Sequence, residues 1–217
     1  VGAIAVSESN PNVVLVGMGE HAARGVMTSM GDGVYLSRDA GKTWKHIGLE
    51  DIRHISDVII HPTDENQFYI SVQGAQFGPS ENRGVYHTRD GGNTWVKTLY
   101  VNPTTGASSL SMDPGNPQVL YASMWEHERF PWTMKSGGPA SGLYKSSDGG
   151  ISWEKMKNGL PGIMGKSGIS ASGARADLVF AVIEAEGDKS GVYRSDDGGK
   201  KWRQINKDRI NITRSWY

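Results

Sequence analysis

One short pattern occurs four times in this chain and governs what it can fold into. The copies are "GDGVYLSRDAGKTW", "NRGVYHTRDGGNTW", "ASGLYKSSDGGISW" and "KSGVYRSDDGGKKW", and they end at Trp44, Trp95, Trp153 and Trp202. Upstream of each lies a second shared piece ("NPNVVLVG", "DENQFYIS", "GNPQVLYA", "ARADLVFA"), and before that a short apolar stretch such as "SDVIIHP". Self-similarity at a period of roughly 50 residues marks a repeat architecture, because such a unit cannot cover its own apolar faces and must stack on its neighbours.

Each repeat offers four short strands. The segment "GVYxS" alternates Val and Tyr on opposite faces, as a strand packed on both sides requires. The first connection is rich in Pro, Asn and Asp, and the third is "DGG" or "DAG", residues that accept positive φ. No helical period persists beyond two turns. The expected fold class is therefore all-β, a β-propeller of four-stranded antiparallel blades. About four blades fall near 1–50, 51–100, 101–158 and 159–206, with 207–217 opening another, in one partial propeller domain. An arc of this kind needs remaining blades, or another chain, to complete the ring.

Composition narrows the function. Basic and acidic residues balance at 23 each, so no net field recruits nucleic acid or an anionic membrane. The absence of cysteine excludes thiol catalysis, disulfides and thiolate metal sites. The apolar runs are too short to span a bilayer as a helix.

The acids of the repeat invite a catalytic reading, which topology opposes. An Asp before Gly at a hairpin tip accepts hydrogen bonds from the N–H groups of its own turn. In an up-and-down blade the one–two and three–four turns emerge together, opposite the two–three loops and the blade-to-blade links. The expected turn-holding set is Ser37, Asp39, Gly41, Trp44; Thr88, Asp90, Gly92, Trp95; Ser146, Asp148, Gly150, Trp153; and Ser195, Asp197, Gly199, Trp202. Asp196, the additional acid of "SDDGG", reads as a surface variant.

The opposite face gathers the longer loops, 19–33, 74–84, 125–142 and 184–191. The third is the longest and packs Trp125, His127, Arg129, Phe130 and Trp132 into eight positions, a mixture suited to a glycan or peptide. These five are candidate ligand contacts, with Glu20, His21, Arg53, His54 and Gln73 around the channel. An alternative reading has Phe130 and Trp132 plugging the loop against its own blade. His21, His54 and His127 lack metal-binding spacing, and no cofactor, metal or catalytic residue is assigned. Glycoside hydrolysis requires two opposed carboxylates about 5–10 Å apart; Glu20, Glu126 and Glu184 are the candidates, and no pair is singled out.

The element S/T-x-D-x-G-x-x-W resembles the Asp-box of BNR-type propellers, a group that includes sialidases, xyloglucanases and sortilin. Segments such as "HISDVIIHPTDENQFYISVQG" and "FPWTMKSGGPASGLYKSSDGGISWEKMKNGLP" are similar to the large secreted bacterial BNR-repeat proteins related to the sortilin N-terminal, VPS10-type domain. That resemblance implies an extracytoplasmic location, a further blade before Val1 and a continuation after Tyr217. It carries no catalytic residue onto this chain, although such proteins are often labelled glycosyl hydrolases. The expected function is a non-catalytic binding or scaffolding propeller engaging a protein, peptide or glycan on its loop face. The alternatives are a glycoside hydrolase acting on a polysaccharide and a structural subunit of a surface assembly.

Overall fold

The apolar residues of each "GVYxS" segment alternate about a strand that pairs on both sides, and this third strand organises every blade. A computed structural model describes residues 1–24 and 27–213 of the chain. It is all-β, with four antiparallel sheets in succession that form an arc of about four propeller blades. The first blade contains β1 (Ala3–Val6), β2 (Val14–Gly17), β3 (Val34–Ser37) and β4 (Lys45–His46). The second contains β5 (Ile55–His61), β6 (Asp64–Val72), β7 (Gly84–Thr88) and β8 (Val96–Leu99). The third contains β9 (Thr105–Asp113), β10 (Asn116–Arg129), an added β11 (Met134–Ser136), β12 (Gly142–Ser146) and β13 (Glu154–Met156). The fourth contains β14 (Ser167–Ala171), β15 (Val179–Ile183), β16 (Gly191–Ser195) and β17 (Arg203–Asn206).

Register repeats with the sequence. Leu15 opposes Leu36, Tyr69 opposes His87, Tyr121 opposes Lys145 and Phe180 opposes Arg194, four versions of one cross-strand pair. The apolar core is divided among the three joints between blades. The first joint holds Leu15, Ile47, Ile60 and Phe68. The second holds Tyr69, Leu99, Leu110 and Leu120, and the third Tyr121, Met156, Ile169, Val179 and Trp202. Stacking sheets on both faces buries what a lone blade exposes.

The innermost strands run beside one another and share polar bonds. Ser56 Oγ donates to the Ala107 carbonyl at 2.7 Å and Ser108 Oγ to the Ser167 carbonyl at 2.9 Å. The Leu110 N–H donates to Asp57 Oδ2 at 2.9 Å.

The third strand–turn–fourth strand tips lie against the one–two turns of their own blades. Ala40, Gly91, Gly149 and Gly198 each donate a backbone N–H to Asn12, Asn66, Gln118 and Asp177 in turn, at 2.8–2.9 Å. At the opposite end, links and two–three loops interlock: Gly31 N donates to Arg53 O, Ser80 N to Pro103 O and Arg129 N to Gln76 O.

One expectation meets a different structure. The segment 125–142 is not a free loop, because β10 continues through Arg129 and returns after a tight turn as β11, with His127 opposite Ser136. The stretch after β17 contains a single 3-10 turn, Arg209–Ile212, capped by Asp208, which accepts from the Ile210 N–H. The remainder of the segment expected to open another blade, 214–217, lies outside the described residues. Among the described residues no helix is long and apolar enough to cross a membrane.

Candidate functional site

The repeated acids are engaged by their own turns. Asp39 Oδ1 accepts from Ser37 Oγ and from the Thr43 N–H, both at 2.8 Å, and its Oδ2 accepts from Thr43 Oγ1 at 2.6 Å. Asp90 is held identically by Thr88 and Thr94, and Asp148 by Ser146 and Ser152. In the fourth copy Lys201 replaces the hydroxyl residue, so Asp197 lacks that side-chain donor while Ser195 Oγ and the Lys201 N–H still hold it. The hydroxyl before Trp in "KTW", "NTW" and "ISW" is therefore part of the device, a regularity visible in the sequence but absent from the motif as first drawn. These donors favour the charged carboxylate: the Thr43 hydroxyl and N–H hold Asp39 down at about 2, and Thr94 does the same for Asp90. Ser37, Thr88, Ser146 and Ser195 each also accept from the N–H of the box glycine, Gly41, Gly92, Gly150 and Gly199. Asp196 lies outside this pattern, on the surface among Arg175, Arg194 and Arg203.

The box tryptophans reach toward the preceding blade. Trp95 Nε1 donates to the Ile47 carbonyl at 2.8 Å and Trp153 Nε1 to Thr98 Oγ1 at 3.2 Å. Trp202 is buried at the third joint. Trp44 belongs to the first blade and, although it bonds its own Gly41 carbonyl at 3.1 Å as Trp202 bonds its own Gly199 carbonyl at 3.2 Å, it remains 44% exposed.

On the opposite face the expected ligand contacts separate into three groups. Trp125 and His127 are wholly buried, because the extension of β10 turns both inward on the same side of the strand. Their rings stack at 4.0 Å, and Trp125 Nε1 donates to Ser136 Oγ at 3.0 Å. They are interior residues, not a ligand surface. Burial and the neighbouring Arg83 guanidinium hold His127 neutral, well below the usual imidazole range. Phe130 and Trp132 form the second group, stacked 5.9 Å apart at the hairpin turn, with Trp132 81% exposed. Arg129 ends β10, its N–H donating to Gln76.

The third group adjoins the channel and the first joint. Glu20 pairs with Arg24, and His21 is half-buried, its pKa lowered by burial and by the charge of Lys166. Gln73 and His54 are buried, and neither Gln73 amide atom nor His54 Nδ1 has a protein partner. Arg83, absent from the sequence expectation, fastens this region: its Nη1 meets His127 Nδ1 at 3.0 Å, and its Nη2 donates to the Ala75 and Gly78 carbonyls. Gln76 is a second unanticipated tie, accepting from Thr28 Oγ1 at 3.0 Å. Between the link 49–55 and the loop 74–84 lies a cavity of about 500 Å³. Asp51, Arg53 and His54 line one side, Phe77 and Asn82 the other, and Met30 the rim.

Each of the candidate acids is engaged by protein donors, Glu20 by Arg24. Glu126 accepts from Lys135 Nζ at 2.8 Å and from the Ala140 N–H at 3.1 Å. Glu184 accepts from Ser136 Oγ at 2.7 Å and from the Lys166 N–H at 2.8 Å. Among the described residues, no group of three or more His, Asp or Glu side chains is placed to hold a metal ion.

Four successive antiparallel sheets, each tipped by an Asp-anchored turn, define a β-propeller of the Asp-box class. The family described as sortilin, neurotensin receptor 3, matches residues 32–164, more than half of the chain. The chain belongs to this Sortilin-Vps10 family. No curated protein sequence matches it. Among solved structures it is similar to an ancestral GH74 enzyme, with TM-score 0.70 and 20% identity over 97% of this chain and 24% of that one. It is also similar to the GH74 xyloglucanase from Xanthomonas campestris, with TM-score 0.67 and 17% identity over 94% of this chain and 29% of that one. A Trypanosoma rangeli sialidase mutant displaying trans-sialidase activity aligns at TM-score 0.50 and 14% identity, over 94% of this chain and 36% of that one. The chain thus spans about a quarter to a third of the length of these structures, and likenesses at such identity establish the fold alone.

Proposed function

We propose that this chain is part of a non-catalytic, extracytoplasmic binding and scaffolding propeller that engages a protein, peptide or glycan on its loop face. The observation that carries the reading is the cavity at the first joint, whose lining includes His54, a buried residue with an Nδ1 that has no protein partner. Buried polar atoms without a partner are uncommon and point to a ligand or ordered water. The box acids on the other face are saturated by their own turns. Glu126 and Glu184 are likewise occupied, which weighs against their acting as an acid–base pair. The extracytoplasmic placement rests on the family and on the secreted proteins that the repeat segments resemble.

The scaffolding half of the proposal rests on the open outer faces. Ile4, Val6 and Trp44 on the first blade, and Val182 and Ile205 on the fourth, are between 39% and 63% exposed, whereas their counterparts at the internal joints are covered. Further blades, or another chain, close these faces.

The test screens the chain against immobilised peptides and oligosaccharides while following reducing-sugar release from soluble polysaccharides. Saturable binding that Phe77→Ala weakens, without sugar release, is the expected result. Turnover abolished by Glu126→Gln or Glu184→Gln overturns the proposal in favour of a glycoside hydrolase.

A further inference from the structure

On the side of the box turns, the innermost strands of the second and third blades carry another cavity, of about 280 Å³, and its origin is legible in the repeat. Val6, Ile60 and Met112 are equivalent positions near the ends of β1, β5 and β9, opposite Val14, Phe68 and Leu120. Two residues further on stand Glu8, Pro62 and Pro114, so the first turns of three successive blades converge on one rim. The rest of the lining is largely aliphatic. Ile60 and Leu110 are buried, while Ile59 and Met112 pack against the core of the second joint.

The polar groups of this cavity are mostly acceptors. Proline has no N–H. The N–H groups that follow the two prolines are spent, Thr63 N on His61 Nδ1 at 3.3 Å and Gly115 N on Asp113 Oδ1 at 2.8 Å. The Asn10 N–H, near Glu8, donates to Ser7 Oγ. Among the described residues of the lining, Glu8 and Asp113 carry the only charges, both negative, and the Ser111 hydroxyl is the one side-chain donor. Neither carboxylate takes part in an ion pair among the described residues. Like charges beside low-dielectric walls focus a field of their own sign, which repels an anion and concentrates a cation. The lining holds no aromatic face of the kind that cages quaternary ammonium ions. A cation suited to both halves of the cavity therefore has N–H donors at one end and a hydrocarbon chain at the other.

We infer that this cavity takes a small alkylammonium ion, its chain against Ile59 and Met112 and its N–H groups donating to Glu8 and Asp113. The occupant is a free amine, because the cavity is set on innermost strands, where a small ion enters more readily than the surface of a folded partner. The site lies on the face opposite the loop-face cavity and stands or falls separately from it.

The experiment titrates the full chain at low salt with n-butylammonium while NMR follows the methyl groups of Ile59 and Met112. Parallel titrations use n-butanol and butyrate, which keep the hydrocarbon and change the charge. Butylammonium should shift both methyls saturably, and the other two should bind at least tenfold more weakly. Glu8→Gln and Asp113→Asn should each weaken the amine about threefold or more, the latter still accepting from Gly115. Glu8→Lys, which brings a competing ammonium to the rim, should abolish binding, whereas Glu186→Gln on the loop face should leave it unchanged. Glu8 is exposed, so its variants keep the test decisive even where Asp113→Asn does not fold. Butyrate or butanol bound as tightly as the amine overturns the inference, as does amine binding that survives Glu8→Lys. Methyls that butylammonium does not move overturn it too. A blocked single-lysine peptide bound more tightly than butylammonium overturns the choice of a free amine in favour of a partner's side chain.

Discussion

At the scale of single residues, the turn device explains why the two glycines of "DGG" recur and why one copy departs from them. Gly91, Gly149 and Gly198 adopt φ of 68° to 72°, and Ala40 holds φ 58° at the same place. A Cβ in the left-handed region is strained by about 1 kcal/mol, a cost glycine does not carry. Ala40→Gly should therefore stabilise the chain by about 0.5–1 kcal/mol, read as a higher urea midpoint at unchanged slope. No gain would mean that the greater freedom of glycine in the unfolded chain cancels the relief. The carboxylates set an acid limit. Asp39 and Asp90 have folded pKa values near 2, below the ordinary carboxylate value, so their contribution is complete above about pH 4 and is lost as pH falls toward 2. Asp90→Asn should lower the melting temperature at pH 7, and the gap from the unsubstituted chain should close between pH 4 and pH 2. A gap independent of pH would show that the charge is not what holds the turn.

At the scale of elements, the repeats and their turns were legible because periodicity and turn chemistry survive in any single copy. The site was less legible, for a physical reason. "WEHER" alternates equally well as an exposed loop or as a strand, and it is a strand through pairings remote in sequence, of Trp125 and Glu126 with Gly106 and Thr105 and of His127 with Ser136. Once it is one, Trp125 and His127 must point inward together, under Arg83, whose role depends on carbonyls of a different loop. That Arg53 and His54 line the cavity was within reach of sequence reasoning because the short link 49–55 has to cross the loop face. Innermost strands carry a further charge that sequence leaves obscure. Burial pushes Asp57 on β5 up to about 6, while Lys166, just before β14, is pushed down to about 8. A carboxyl whose folded pKa is raised binds protons more tightly in the folded state, so stability falls as pH rises from about 4 through 6. Asp57→Asn keeps an acceptor for the Leu110 N–H and removes the buried charge. Because Lys166 loses an attractive neighbour, the gain at pH 7 should be about 1–2 kcal/mol, less than the roughly 3 kcal/mol that a shift of about two pK units represents. The gain should vanish near pH 4 in denaturant titrations; one that persisted there would reflect packing and not ionisation.

At the scale of the whole molecule, three internal joints and two open faces are built from the same parts. The position three residues after each box tryptophan is Ile47, Thr98, Met156 and Ile205. The first three meet the following blade, through Trp95, Trp153 and the core around Trp202, while Ile205 on the last blade is 43% exposed. At the other end Trp44 closes the same motif as its three counterparts and has no preceding blade in this chain to reach across, a difference no local pattern could record. The consequence is measurable because identical residues sit in unequal surroundings. Trp202, 2% exposed, should cost about 3–5 kcal/mol when changed to Ala, as large aromatic truncations in cores do. Trp44→Ala should cost about 1 kcal/mol or less in this chain, since much of its ring already faces water and its truncation opens no closed cavity. When further blades cover the first face, the cost at Trp44 should rise to that at Trp202. Equal costs in the chain as it stands, with a melting temperature that climbs with protein concentration, would identify a second copy as the cover.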